Sequence, residues 1–218
     1  MLKFERLREA ETQPGSMLFK FGGDAYRAGR ERLRAVYVHG ADSSTSVTRT
    51  RATIAGRQAV LKQLRKARDA GGEDARLVHM QPEAAFRESY RIHGETVITH
   101  DDYVSGRQFE DAICNAFYPV DLHTRNGVRP QPLDEGVVPT VPLRALIPEG
   151  SRRLIVAGRC LSSDRLANSG LRVQAKSLAT GQAAGTAASL AAQQSSTPLD
   201  DPLDKLREVL SENRANLP

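Results

Sequence analysis

In YPVDLHT, Asp121 and His123 bracket Leu122. In an extended chain both side chains leave on the same side. An imidazole oriented by a carboxylate can take or give a proton near neutral pH, which suits general acid–base work. The plain alternative is a hydrogen-bonded loop pair. FRESYR places Arg87, Glu88 and Arg91 close enough for two of them to share one face. There an arginine can clamp a substrate carboxylate or another acceptor oxygen. An Arg–Glu structural pair beside a turn is the competing reading.

A third feature runs from Leu154 to Ala192, LIVAGRCLSSDRLANSGLRVQAKSLATGQAAGTAASLAA. It reads as a buried apolar strand ending at Gly158-Arg159, followed by a long helix almost without large side chains. Ser169-Gly170-Leu171-Arg172 falls at the expected start of that helix, where unpaired N–H groups and the helix dipole favour an anion or an electron-rich oxygen. Gly181, Gly185 and Ala188 or Ser189 recur at helical spacing and leave a face that another backbone can approach closely. Open α/β sheets bind their ligands at such strand ends.

Other candidates point to less. His100-Asp101-Asp102 has no further ligand cluster near it and reads as helix capping, so no metal is expected. Cys114 and Cys160 have no C-x-x-C partner and read as free thiols of a reducing compartment. His39 and His79 are isolated. No G-x-S-x-G elbow is present.

These residues need elements to hold them. MLFKFGGDA (17–25) and RLRAVYVHGAD (32–42) read as strands, and Ala59, Val60 and Leu64 as the apolar face of a helix stopped by Gly71-Gly72. ETVITH alternates like a strand, and THDDYV reads as a helix entry capped by Thr99 or Asp101. Phe109, Ile113 and Phe117 recur every four residues, the period of a helix face. Prolines at 130, 132, 139, 142 and 148 impose extended backbone. Leu203, Leu206 and Leu210 mark a short amphipathic helix.

The chain has 218 residues with 31 basic against 26 acidic, a net charge of +5. The bases are scattered among acids and aromatics are few, which argues against a nucleic-acid partner. The least polar stretch, Leu178–Ala192, is too short and too polar to span a bilayer. MLKFERLREAE carries no signal-peptide pattern. A cytoplasmic protein is expected.

FRESYRIHGE, YPVDLHT, VPLRALIP, LIVAGRCLS and SGLRVQAKSLATGQAAGTAA together resemble the C-terminal half of FAD-dependent oxidoreductases of the glutathione-reductase-like superfamily, in the branch of fumarate-reductase-like and xanthan-lyase-associated flavoproteins. The resemblance spans about Thr45 to Leu210 and departs from the family pattern at Tyr90 and Thr96. It implies that Gly158, Arg159, Ser169, Gly170, Leu171 and Arg172 border the flavin. It implies also that Gly181, Gln182 and the small face behind them pack on an FAD domain. Arg87, Arg91, Asp121 and His123 become candidate catalytic residues toward a small-molecule substrate. No G-x-G-x-x-G occurs in the sequence, so the chain reads as a fragment: a split subunit, a truncated reading frame or an engineered piece. Its partner is expected to be a separate chain carrying that turn, or a second copy docked through Gly181–Ala192. The fold implied is α+β: residues 1–150 a substrate-side domain with a mixed or antiparallel sheet, 151–195 a strand–helix of a Rossmann-like FAD domain, and 196–218 a linker and helix. The alternative is a non-enzymatic remnant or interaction module that keeps the flavoprotein fold without cofactor.

Overall fold

The structure, a computed structural model, describes residues 3–6 (4–6 as backbone), 13–23, 33–72, 74–124, 127–128 and 130–218. It divides into two compact units, Leu7–Ser89 and Met1–Arg6 with Tyr90–Pro218. The sequence-based boundaries at 150 and 195 both fall inside the second of these. A short strand, β1 (Phe4–Arg6), belongs to that second unit.

The Leu7–Ser89 unit is a three-stranded antiparallel sheet under one long helix. Strand β2 (Gly15–Gly22) lies between β3 (Arg34–Val38) and β4 (Arg76–Met80). Met17, Phe19 and Phe21 alternate onto the buried face of β2, as a period of two requires. Helix α1 (Ser46–Asp69) covers them with Ala52, Gly56, Val60 and Leu64, four residues apart. A Cβ on Gly56 would stand 3.1 Å from Met17, so glycine lets helix and sheet approach. The helix begins with a reciprocal cap: Thr48 N–H donates to Thr45 Oγ1 at 3.1 Å and Thr45 N–H to Thr48 Oγ1 at 3.2 Å. Both strands and the glycine stop match the sequence reading; Asp24 and Ala25, in the first of the expected strands, lie outside the described residues.

The second unit starts with β5 (Tyr90–Ile92), paired antiparallel with β1. Helix α2 (His100–Val104) comes next, capped at Thr99, whose N–H donates to Asp102 Oδ2 at 3.0 Å. After it come β6 (Ala112–Asn115), the short hairpin β7 (His123–Thr124) and β8 (Gly127–Val128), and β9 (Thr140–Pro142), which pairs antiparallel with β6. Two single turns of tight helix, Leu143–Leu146 and Gly158–Cys160, precede α3 (Arg165–Leu171), α4 (Gln174–Gln194) and α5 (Leu203–Glu212). One core holds them together. Tyr103, Ile113, Leu146 and Leu171 sit at its centre, and Ala183, Ala184 and Ala187 of α4 meet Leu206 and Leu210 of α5. The architecture is α+β with small antiparallel sheets, as expected.

Three expectations fail locally. Phe109, Ile113 and Phe117 do not form a helix face: Ala112–Asn115 is a strand because Thr140–Pro142 supplies its ladder, and Phe117 is left 58% exposed. ETVITH forms no strand; single bridges, Gly94 with Pro148 and Ile98 with Ser163, tie it down. Leu154–Ala157 has no regular secondary structure and belongs to no described sheet; its one described backbone bond runs from Val156 N–H to the Leu146 carbonyl, 2.8 Å.

Tyr103 is fully buried, with its hydroxyl donating to the Tyr118 carbonyl at 2.7 Å. A Cβ on Gly170 would come within 2.7 Å of that ring. In Gly170→Ala the helical preference for alanine, about 1 kcal/mol, opposes an overpacking cost of about 1–3 kcal/mol. Because the ring has no room to move, we expect net destabilisation in urea unfolding followed by circular dichroism; a more stable variant would show that α3 does not rest on Tyr103.

Candidate functional site

Helix α4 begins without a side-chain cap, since Val173 at its N-cap position has none to offer. The first N–H groups of a helix have no partner inside it, and Gln174 and Ala175 are exposed there. The Gly158–Cys160 turn rests on the next turn of the helix. Gly158 adopts φ +79°, donates its N–H to Thr180 Oγ1 at 3.1 Å, and would bring a Cβ to 3.6 Å from Ser177. Thr180 is buried and donates its own hydroxyl to the Lys176 carbonyl at 2.7 Å. Gly158 and an exposed Arg159 therefore lie beside the uncapped start of α4.

The same turn is braced from α3. Asn168, fully buried, donates its amide to the Arg159 carbonyl at 3.1 Å and to Ser163 Oγ at 3.3 Å. Asp164 caps α3 through the Ala167 N–H at 2.8 Å and also accepts from the His100 N–H at 2.5 Å. Sequence reading missed Asn168 and Asp164. Asp-x-x-Ala ahead of a short apolar run is the capping signal that finds the second.

Ser169, Gly170 and Leu171 are not at the start of the long helix. They close α3 and are buried, with Ser169 Oγ donating to the Leu166 carbonyl at 2.7 Å. The break falls at Arg172-Val173, at the far end of the expected Ser169–Arg172 start, because α3 is a separate short helix with its own cap. Arg172, at that break, donates to the Asp121 carbonyl at 2.8 Å. Asp121 and His123 do meet: Nε2 and Oδ2 are 3.2 Å apart, with side chains only 17% and 13% exposed. The bond of Arg172 ties the α3–α4 junction to this pair.

Lys176 is buried in the first turn of α4, a position where the helix dipole disfavours a cation. Its ammonium donates to the Asn115 carbonyl and lies 4.7 Å from the centre of the Phe117 ring. Burial pushes its pKa down, against a smaller upward pull from Cys114. Burial raises the Cys114 thiol to about 11, so it stays protonated at neutral pH.

Gly181 is exposed, with no heavy atom within 4 Å of where its Cβ would be, and Gln182 donates to the Asn213 carbonyl at 3.4 Å. Arg87, Glu88 and Arg91 do not share one face of one unit, because the chain passes from one unit to the other at Ser89–Tyr90. Arg87 donates to the Pro14 carbonyl and lies over the Tyr37 ring; Glu88 is buried and accepts from the Gln13 N–H at 2.9 Å. Arg91 is buried in β5, opposite Glu5 in register. Asp102 of the His100–Asp102 run serves the α2 cap, and no group of three potential metal ligands occurs among the described residues. No described helix is long and apolar enough to cross a membrane.

A family model described as FAD dependent oxidoreductase matches residues 3–210, nearly the whole chain. No curated protein and no solved structure matches.

Between its folded and unfolded pKa values Lys176 binds more protons in the unfolded chain, so its burial cost is full below that window and fades as pH rises through it. Lys176→Met removes that dependence. We expect its stability relative to the parent, from urea midpoints, to be most favourable at neutral pH and to shrink towards about pH 10. A difference that ignores pH would mean that the ammonium is as well solvated in the fold as outside it.

Proposed function

The chain belongs to the FAD-dependent oxidoreductases, and we propose that within this family it is the substrate-side and flavin-capping portion of the enzyme, completed by a polypeptide segment that carries the pyrophosphate-binding turn. The observation that carries this reading is that Leu154–Ala157, an apolar run in no described sheet, lies beside a helix whose Gly181 and Gly185 have open space where a Cβ would stand. An apolar run followed by a small-faced helix is the order of a βα unit that would extend a nucleotide-binding sheet.

The residues fit the cofactor. The uncapped N–H groups of α4 and the left-handed backbone at Gly158 form a polar, unobstructed rim suited to a partly negative ring oxygen. FAD, when bound, supplies the hydride chemistry. Arg159, exposed beside that rim, adds a positive charge that favours an electron-rich ligand. His123 is the group we assign to the proton that accompanies a hydride. Asp121 holds the imidazole through Nε2, fixing its tautomer and orientation, and Arg172 fixes Asp121 in turn through its carbonyl. Buried Asn168 and Thr180 act indirectly, by holding the Gly158–Cys160 turn against α4.

Incubation with FAD, followed by gel filtration and a visible spectrum, tests the capping assignment. The chain by itself is expected to elute colourless. Retained flavin absorption would mean that these residues hold the cofactor unaided, and the assignment would fail. Openness of the α4 stripe has its own check: Gly185→Ala should stabilise the chain by about 1 kcal/mol, the helical preference alone. Destabilisation would mean that the stripe is already covered.

A further inference from the structure

A groove of about 400 Å³ lies at the opposite end of α4 from the uncapped start. Arg152, Arg153 and Ile155 form one wall and the last turns of α4 the other, with Ile155, Ala188 and Ala192 giving it an apolar patch. Its rim is cationic. Arg152 is paired with Asp200 at 2.6 Å. Arg153 is exposed and has no hydrogen bond or ion pair among the described residues. The groove continues the Gly181–Gly185 stripe along the same helix face, at Ala188 and Ala192. Beside it, the backbone of Arg153, Leu154 and Ile155 makes no backbone hydrogen bond among the described residues.

We propose that this groove docks an extended segment of the polypeptide that covers α4, through an apolar side chain seated among Ile155, Ala188 and Ala192 and a neighbouring carboxylate held by Arg153. The inference rests on the capping assignment and specifies the partner's chemistry. An extended segment uses what the site offers: its backbone can pair with residues 153–155, and its alternating side chains enter the groove and meet the rim. The guanidinium fork of Arg153 matches a carboxylate in two parallel bonds and outweighs the negative end of the helix dipole nearby. A second copy of the chain fits worse. A two-fold interface through this face would present the same lining again, which holds no carboxylate for Arg153.

The probe is a fluorescein-labelled, acetylated Val-Glu-Val-Glu-Val amide, with Val-Lys-Val-Lys-Val as its charge-reversed control. Binding is read by anisotropy and by the methyl NMR signals of Ala188 and Ala192. We expect saturable binding of the acidic peptide, at least tenfold tighter than the basic one, with both methyl signals shifted. Arg153→Glu, an exposed substitution that leaves the fold intact, should reverse the preference. Equal affinity for both peptides, no saturable binding, or a peptide-free dimer that shifts the same methyl signals would each overturn the proposal. If the peptides fail while the chain still elutes without flavin, this docking chemistry is wrong and the capping assignment stands. Flavin retained by the chain alone removes the assignment whatever the peptides do.

Discussion

How closely other groups can approach α4 sets most of what the Tyr90–Pro218 unit can do. Its buried side is Thr180, Ala183, Ala184, Ala187 and Ala191, and it contributes little apolar area of its own. What that side gains is proximity. Leu206 and Leu210 of α5 share a core with its alanines, and the Gly158–Cys160 turn sits close enough for its N–H to find Thr180. A larger residue at Thr180 would push the turn off the helix and displace Gly158 and Arg159 together.

The surroundings of α4 are stiffened by short polar bonds between elements. Asn168 ties α3 to the turn, Asp164 ties α3 to α2, and Arg172 ties the α3–α4 junction to Asp121. Each bond joins separate elements, and each is partly shielded from water, where leaving a partner unmade is costly. Lys176 is the exception to this economy. It buries a cation at the wrong end of a dipole and is offset by a backbone carbonyl and an aromatic face. In return, the end of β6 and the loop towards Asp121 are held against the first turn of α4.

Family membership and geometry address different questions. The family brings FAD as cofactor. The geometry distinguishes the two ends of α4: an uncapped helix start and a glycine turn at one, a groove rimmed by Arg152 and Arg153 at the other, with the Asp121–His123 pair linked to the first.

Local signals in the sequence were enough for the helices α1, α2 and α5 and for β2 and β3. Capping at Thr99, the Gly71 stop, the apolar row of α1 and the leucine face of α5 act within a few residues, so they can be read without knowing the fold. The Asp121–His123 pair was legible for the same reason, because residues two apart need only an extended backbone. Partners distant in sequence decided the rest. Ile113 lies in a strand because Thr140–Pro142 lies beside it, whatever the four-residue spacing of Phe109 and Phe117 suggests. Arg87 and Arg91, four residues apart, belong to different units because the chain changes unit between them. Ser169 and Gly170 are buried, Gly170 against Tyr103, because they close α3, which ends before α4 begins. Spacing fixed which residues could meet, and only the long-range contacts settled which of them do.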